Sequence, residues 1–508
     1  MALPFAVLTA LAAFDGGYYA PSWGWTALAL VWGTALAVLI RRSVDVGRFE
    51  VGWLAAFALL TGWIWLSNVW SESPTLTLLE GQRALAYLAG AVFVVLATPR
   101  TAAEGLLGAV ATAGAVVAAY AFVRYGIASD ESAFGEPVGY SNALAVFAAM
   151  AALLALGFAL RSRQLSVRVA AAAALVPLGA VITLTASRGA WLALAAGIAV
   201  FIALSERRRL AAAAAAALAL AGLASLALFA RLPETAPRAT SLRADLFTLA
   251  GHDRGRYWAA ALDSLSDHAL LGSGAGTFAR MWLRYRDANL GVLDAHNLYL
   301  EVLSELGPVG LALLLAALAV PLAAAVRSRR APLVPAAAAA YCTFIVHAGV
   351  DWDWEMPVVT LSAVLIGGYL VVSARSAPRT LGAPERAAAF AVALGLGAIA
   401  FVGLVANGAL TAATVAMDEG RPGDAAADAR RADRWALWSA EPSRLLAQAL
   451  VAQGTLRPAR TALSETLRDD PGDVRSWRLL AQYWPQERQR AYAAVARLDP
   501  RGPPPWEP

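Results

Sequence analysis

Lysine is missing from this chain: all 41 of its basic residues are arginine. Cysteine is nearly missing too, since Cys342 stands alone and lies inside an apolar segment. One thiol excludes a disulfide within the chain and any cysteine-based metal site. Charge of either sign is scarce, at 15% of 508 residues, where a soluble globular domain carries about 25%. With 59% hydrophobic residues and a mean hydropathy of +0.57, the composition excludes a soluble enzyme and describes a polytopic membrane protein. The formal charge of +5 comes from arginines in short connections, which set topology and give no reason to invoke nucleic acid.

Apolar windows long enough to span fall near residues 2–18, 22–40, 51–68, 79–98, 103–124, 139–160, 167–186, 188–204 and 209–230. Further windows lie near 297–326, 333–350, 356–374 and 386–410. The first has neither a basic start nor a cleavage site and reads as a membrane helix rather than a signal peptide. The expectation is an all-α polytopic bundle of about 12–13 spans over residues 1–415. Alternate connections carry the arginines: Arg41, Arg42 and Arg48; Arg100; Arg161, Arg163 and Arg168; Arg207 to Arg209; Arg327, Arg329 and Arg330; Arg375, Arg379 and Arg386. The others hold acids instead, among them Asp15, Glu72, Asp130, Glu131, Glu136, Asp351, Asp353 and Glu355. By the positive-inside rule the N-terminus is cytoplasmic, and the long loop 231–296, the Ser187-Arg188-Gly189 turn and the C-terminal tail are all outside.

The tail changes character. Asp470-Pro471-Gly472-Asp473 followed by Val474, Trp477, Leu480 and Ala481 reads as a turn and the first helix of a tetratricopeptide-like hairpin. Leu498-Asp499-Pro500 closes the next helix, and Gly423-Asp424-Ala425-Ala426 opens one in an earlier unit. Residues 416–500 are expected to form a small helical repeat domain, with 501–508 disordered.

Few polar groups are left to do chemistry. His296, one of four histidines, sits where the longest polar loop meets an apolar helix. A neutral imidazole there can take a proton near neutral pH; a histidine at a helix start can also be merely structural. Metal ligation lacks a second His or a carboxylate at the right helical spacing, so no metal and no cofactor are expected. Arg188 opens a span on the flank that is otherwise poor in positive charge, as an anion clamp or an interface anchor. Arg254 and Arg256 lead into an amphipathic stretch, as substrate contacts or solvated charges. The glycine-rich run Gly272-Ser273-Gly274-Ala275-Gly276 lacks the context of a nucleotide loop and reads as a tight turn folding an outer helix back on the membrane. His347 and Asp351 share a helix face at i, i+4 and are expected to pair. Tyr140-Ser141-Asn142 lines a polar cavity or caps a helix.

Taken together, Ser187-Arg188-Gly189, the block Arg254…Trp258…Leu271-Gly272-Ser273-Gly274…Phe278, and His296-Asn297-Leu298-Tyr299-Leu300-Glu301…Glu305-Leu306-Gly307 resemble the O-antigen ligase/polymerase family. His347…Asp351 and Gly139-Tyr140-Ser141-Asn142 fit its weaker motifs. The resemblance spans roughly residues 50–375 and implies a GT-C-like fold in the bacterial cytoplasmic membrane. It also implies an inverting, metal-independent glycosyltransferase. The donor would be a glycan on undecaprenyl diphosphate, and the acceptor a glycan, a lipid or a protein. His296 then matches the base, Arg188 and Arg254 the diphosphate-binding arginines, with Arg256 a rival for the second place. Asn297, His347, Asp351 and Asn142 would support them, while the repeats engage a partner protein or nascent glycan. A transporter or flippase for lipid-linked glycans is the alternative; it requires ionisable groups or broken helices near mid-bilayer in two related halves.

Overall fold

The computed structural model describes residues 2–128, 135, 137–229, 253–287, 290–436 and 438–503. Asp130, Glu131 and Glu136, the first third of the 231–296 loop (231–252), and the last five residues of the tail fall outside the described residues. Every apolar window has its helix: α1 (Ala2–Ala13), α2 (Ala20–Ile40), α3 (Arg48–Leu66), α4 (Pro74–Ala97), α5 (Glu104–Ala128), α6 (Ser141–Arg161), α7 (Leu165–Leu184), α8 (Arg188–Leu204) and α9 (Arg208–Phe229). Two short helices follow, α10 (Arg254–Asp267) and α11 (Phe278–Tyr285). Then come α12 (Leu298–Arg327), α13 (Val334–His347), α14 (Pro357–Ser373) and α15 (Ala383–Asp418). Eight of the described helices are long and apolar enough to cross a membrane. Four more are apolar but shorter: α1, α8, α13 and α14. The first window is therefore corrected. Its helix stops after 12 residues, about 18 Å at 1.5 Å per residue, which is less than a bilayer core. The cause is Asp15-Gly16-Gly17, where positive φ values at all three residues turn the chain back into α2.

The bundle is organised around helices that are apolar on every side. In α6 each residue from Ala143 to Gly157 is buried, and α14 is buried along nearly its whole length. Small residues let helices approach closely in the absence of a hydrophobic drive between them. A Cβ placed on Gly157 would lie 2.4 Å from the Ala336 methyl, so α6 and α13 touch almost backbone to backbone.

Arginine-bearing connections gather at one end. Arg41 Nη1 donates to the Leu96 carbonyl at 2.9 Å, and Arg100 Nη1 to that of Arg375 at 2.8 Å. Arg386 donates to the Arg41 carbonyl at 2.7 Å. A two-residue antiparallel ladder joins β1 (Asp45–Val46) to β2 (Arg379–Thr380), with Asp45 opposite Thr380. Among the described residues, the acid-bearing connections gather elsewhere: Gly139 packs on Asp15, the Glu72 amide donates to the Ser273 carbonyl at 3.0 Å, and Asn142 donates to Asp351 at 2.8 Å.

Helix α15 runs unbroken for 36 residues, about 54 Å, out of the bundle and into the tail. No linker marks residues 415–416. The tail is α16 (Pro422–Asp433), α17 (Glu441–Ala452), α18 (Leu456–Asp469), α19 (Val474–Tyr483) and α20 (Arg488–Leu498), packed pairwise in chain order. Its core contains Leu463, Trp477, Leu480 and Val495. As the sequence predicts, a helix follows the turn at residues 470–473 and α20 closes at Leu498; Asp473 caps α19 by accepting from the Ser476 amide.

At the arginine end, Glu50 is fully buried and accepts from Arg375 Nε at 2.8 Å. Removing one partner strands a buried charge. Arg375→Ala is expected to cost about 3–5 kcal/mol, read as a lowered thermal midpoint in detergent, whereas Arg379→Ala, largely exposed, changes little.

Candidate active site

The site begins with a break in a helix. Inside α12, Gly307 takes φ +66° ahead of Pro308, so residues 298–306 form a separate outer segment. A Cβ at Gly307 would fall 2.3 Å from the Leu270 carbonyl oxygen, so only glycine admits the loop that packs there. That loop is the glycine-rich run. Glu305 ties it down, accepting from the Gly276 amide at 2.8 Å and the Phe278 amide at 2.7 Å. The run is thus the tight turn the sequence suggests, and it anchors α11 at the foot of the outer segment.

His296 sits at the head of the same segment. Asn297 caps it, its Oδ1 accepting from the amides of Tyr299 and Leu300, both at 3.1 Å. His296 itself adopts φ +54°, a conformation an L side chain holds only when its surroundings fix it. They do. The Ala295 amide donates to Glu301 at 2.6 Å and the Leu298 amide to the Ala348 carbonyl at 2.8 Å. The imidazole packs on Tyr257, ring centroids 5.2 Å apart, and Tyr257 rests edge-on against Trp282. His296 Nδ1 lies 3.0 Å from the Asp294 carbonyl oxygen. A carbonyl only accepts, so Nδ1 carries the proton and Nε2 keeps its lone pair. Burial pushes the imidazole below its usual 6.5, outweighing the Asp294 carbonyl and the carboxylates of Asp351 and Asp353. His296 is a half-buried neutral base.

Asp351 is the hub beside it. The side chain is wholly buried, and it accepts from Arg254 Nη2 at 2.9 Å, Asn142 Nδ2 at 2.8 Å, the Tyr140 hydroxyl at 3.1 Å and the Trp352 amide at 2.9 Å. Tyr140 stacks on Trp352 with centroids 4.7 Å apart. So Asn142, at the start of α6, and Arg254, at the start of α10, meet on one carboxylate. The expected His347–Asp351 pair is overturned. α13 ends at His347, and the chain then turns, so His347 Nδ1 pairs with Asp353 at 3.1 Å while Asp351 faces Arg254. Gly189 packs directly on the His347 ring, which sets Arg188, first residue of α8, at this same end. Arg256 points elsewhere: it is half exposed and paired with Asp253 at 3.1 Å and Asp287 at 3.3 Å. Two residues further along a helix is about 200° of turn, which separates it from Arg254.

Sequence reasoning missed what lies beneath. Arg83 of α4 is buried and pairs with Glu80 and Glu355. Its guanidinium also lies over the rings of Trp23 and Trp354, at 5.6 Å and 5.4 Å. Carboxylate oxygens of Asp294, Glu301 and Glu355 come within 4.8 Å of one another. Burial, with Glu355 beside it, pushes the Asp294 carboxyl well above its ordinary range. Such a trio is one that a divalent ion can use, though Arg83 already supplies a cation to Glu355. The signal was present: Glu80 with Arg83, and Glu301 with Glu305, stand at helical spacing inside apolar spans, where an ionisable group is costly.

The repeats are bolted to this end. Arg280 of α11 makes a two-pronged pair with Asp470, and Ser73 donates to the same carboxylate at 3.1 Å. Arg286 pairs with Asp499 at 2.6 Å, both buried.

A neutral imidazole, a held guanidinium and a buried acidic floor thus meet at one end of the helix bundle. Residues 172–315 match the family model for O-antigen ligase, and residues 416–483 match that for a tetratricopeptide repeat. The chain thus contains a region similar to O-antigen ligase, followed by tetratricopeptide-like repeats. The match supports a multi-pass membrane enzyme of glycan transfer, of ligase or polymerase type, with lipid-linked glycan substrates. No curated protein matches the chain. The ligase match takes in Arg188, Arg254, Arg256, His296 and Asn297, but neither Asn142 nor Asp351.

If Asp351 works by holding Arg254, the two act as a unit. Asp351→Ala and Arg254→Ala should lower glycan transfer to a similar degree, and the double variant should be no worse than either, in a transfer assay normalised to folded protein at a temperature below every variant's melting midpoint.

Proposed function

We propose that this protein is an inverting glycosyltransferase that moves a glycan from undecaprenyl diphosphate to an acceptor hydroxyl at the outer face of the cytoplasmic membrane. The observation that carries the reading is the pairing of His296 Nδ1 with the Asp294 carbonyl, beside the Arg254–Asp351 pair, because it fixes Nε2 as a proton acceptor next to an anion-binding group. The acceptor hydroxyl attacks the anomeric carbon as its proton passes to Nε2. The bond from that carbon to the diphosphate oxygen breaks, and its electron pair leaves with the lipid diphosphate. One displacement inverts the anomeric centre. The leaving group departs as an anion, so it needs charge rather than an acid, and Arg254 with Arg188 supplies it. Asp351 uses one nitrogen of the Arg254 fork and orients the rest. Arg256, engaged by two aspartates, is assigned no part in this.

The outer-face orientation rests on the alternation of arginine in the short connections, the only ones the rule counts; His296, Arg188 and the repeats share the end whose short connections hold acids instead. We assign residues 1–415 to the membrane domain and 416–500 to the repeats, with the break lying inside α15. The flippase alternative gains no support, because the candidate groups cluster at one end.

Three measurements check this. His296→Ala should slow release of polyprenyl diphosphate by about 10²–10⁴-fold. The base must be unprotonated and burial lowers its pKa, so the acid limb of the rate profile should fall below pH 6.5, with rates flat through neutrality. Transfer should survive dialysis against EDTA; a loss restored by Mg²⁺ would overturn metal independence and point to Asp294, Glu301 and Glu355.

A further inference from the structure

A second cleft, of about 510 Å³, opens where the repeats close over α11 and the start of α4. That is within the usual range for small-molecule sites, about 300–1,000 Å³. Its floor is built, not incidental. Asp470 is buried under its pairing with Arg280 and Ser73, and the Ala440 amide donates to Thr75 Oγ1 at 2.9 Å. One wall is α17, where Arg444 is buried and its Nε donates to Glu441 at 2.8 Å. The other wall is the stretch Gly291-Val292-Leu293, which runs directly into Asp294 and His296.

The lining is chemically unlike the His296 site. Arg280, Arg444 and Arg475 face Glu441, Asp470 and Asp473, three cations against three anions. A cleft so balanced offers no net attraction to a diphosphate or a polyanion. The Arg280–Asp470 and Arg444–Glu441 pairs use two nitrogens of each guanidinium and leave further N–H groups beside carboxylate lone pairs, donors and acceptors side by side as neighbouring hydroxyls require. Leu283, Val292 and Val474 add aliphatic surface between them, suited to the C–H faces of sugar rings.

We propose that this cleft binds an uncharged segment of glycan and feeds it along residues 291–293 to His296. The proposal rests on reading His296 as the base of a glycan transferase and adds a substrate subsite to it. Two sources offer that chemistry, the glycan of the lipid-linked donor and a lipid-free acceptor chain.

The test uses the full chain in nanodiscs with a photoreactive residue at the exposed edge of the cleft, Leu293→p-benzoylphenylalanine. Leu165→p-benzoylphenylalanine, exposed at the far end of the bundle, is the control. The probes are lipid-linked glycan and lipid-free polysaccharide, both purified from the source cells. An adduct whose intact mass rises in multiples of the sugar repeat, at 293 and not at 165, is the expected result. Whichever probe gives it identifies the source. Arg475→Glu should then abolish the adduct, since it removes a guanidinium donor at an exposed position and turns the balance to four anions over two cations. No sugar adduct, an equal yield at both positions, or crosslinking only to added envelope polypeptide overturns the proposal. Polyprenyl-diphosphate release unaffected by His296→Ala would sink the catalytic reading instead, so the two failures are told apart.

Discussion

A carboxylate buried to exclusion of solvent must be satisfied from every side, and Asp351 meets that requirement with a tyrosine hydroxyl, an asparagine amide, a guanidinium and a backbone amide. Those four donors come from the start of α6, the start of α10 and the connection between α13 and α14. Leaving any of them out would cost the desolvation of a charge rather than the modest worth of one exposed contact. The rest of the site follows from that constraint. Arg254 is held at a set angle although it opens a helix in the long loop between α9 and α12. The His347 side chain, displaced from the partner its spacing suggests, takes Asp353 and braces Gly189, and so the turn that carries Arg188.

The outer segment of α12 plays a complementary part. Its first residues fix a strained histidine, and its second turn points Glu301 and Glu305 inward to hold backbone amides of the loops on either side. Each of those acids is expensive in an apolar span. What offsets the expense is that the surrounding loops lack regular secondary structure and need acceptors for their amides. The helix break at Gly307 lets one segment serve the loop chemistry while the remainder crosses the membrane.

Much of this was readable in one dimension. Long apolar runs reveal the helices because bilayer thickness acts on local composition. The turn at Gly272 to Gly276 is local too, and it stands where the residues suggest. What was not readable depends on which elements meet. The spacing of His347 and Asp351 assumed a helix that continues, whereas the chain turns at Ala348. Arg254 and Arg256 are equivalent as text and are told apart only by which one finds Asp351. The buried group of Arg83, Glu80, Asp294, Glu301 and Glu355 joins segments more than two hundred residues apart, and no local pattern reports such a meeting.

Helix α15 carries one last implication. A tethered module on a loose strand would search a volume and pay for capture in lost freedom. Here the bilayer crossing and the stalk of the repeats are a single rod, and ion pairs at Arg280 and Arg286 pin its far end. Whatever docks on the repeats is therefore delivered at a constant bearing to the imidazole, as work held in a jig, and its reach is set by architecture rather than by chance encounter.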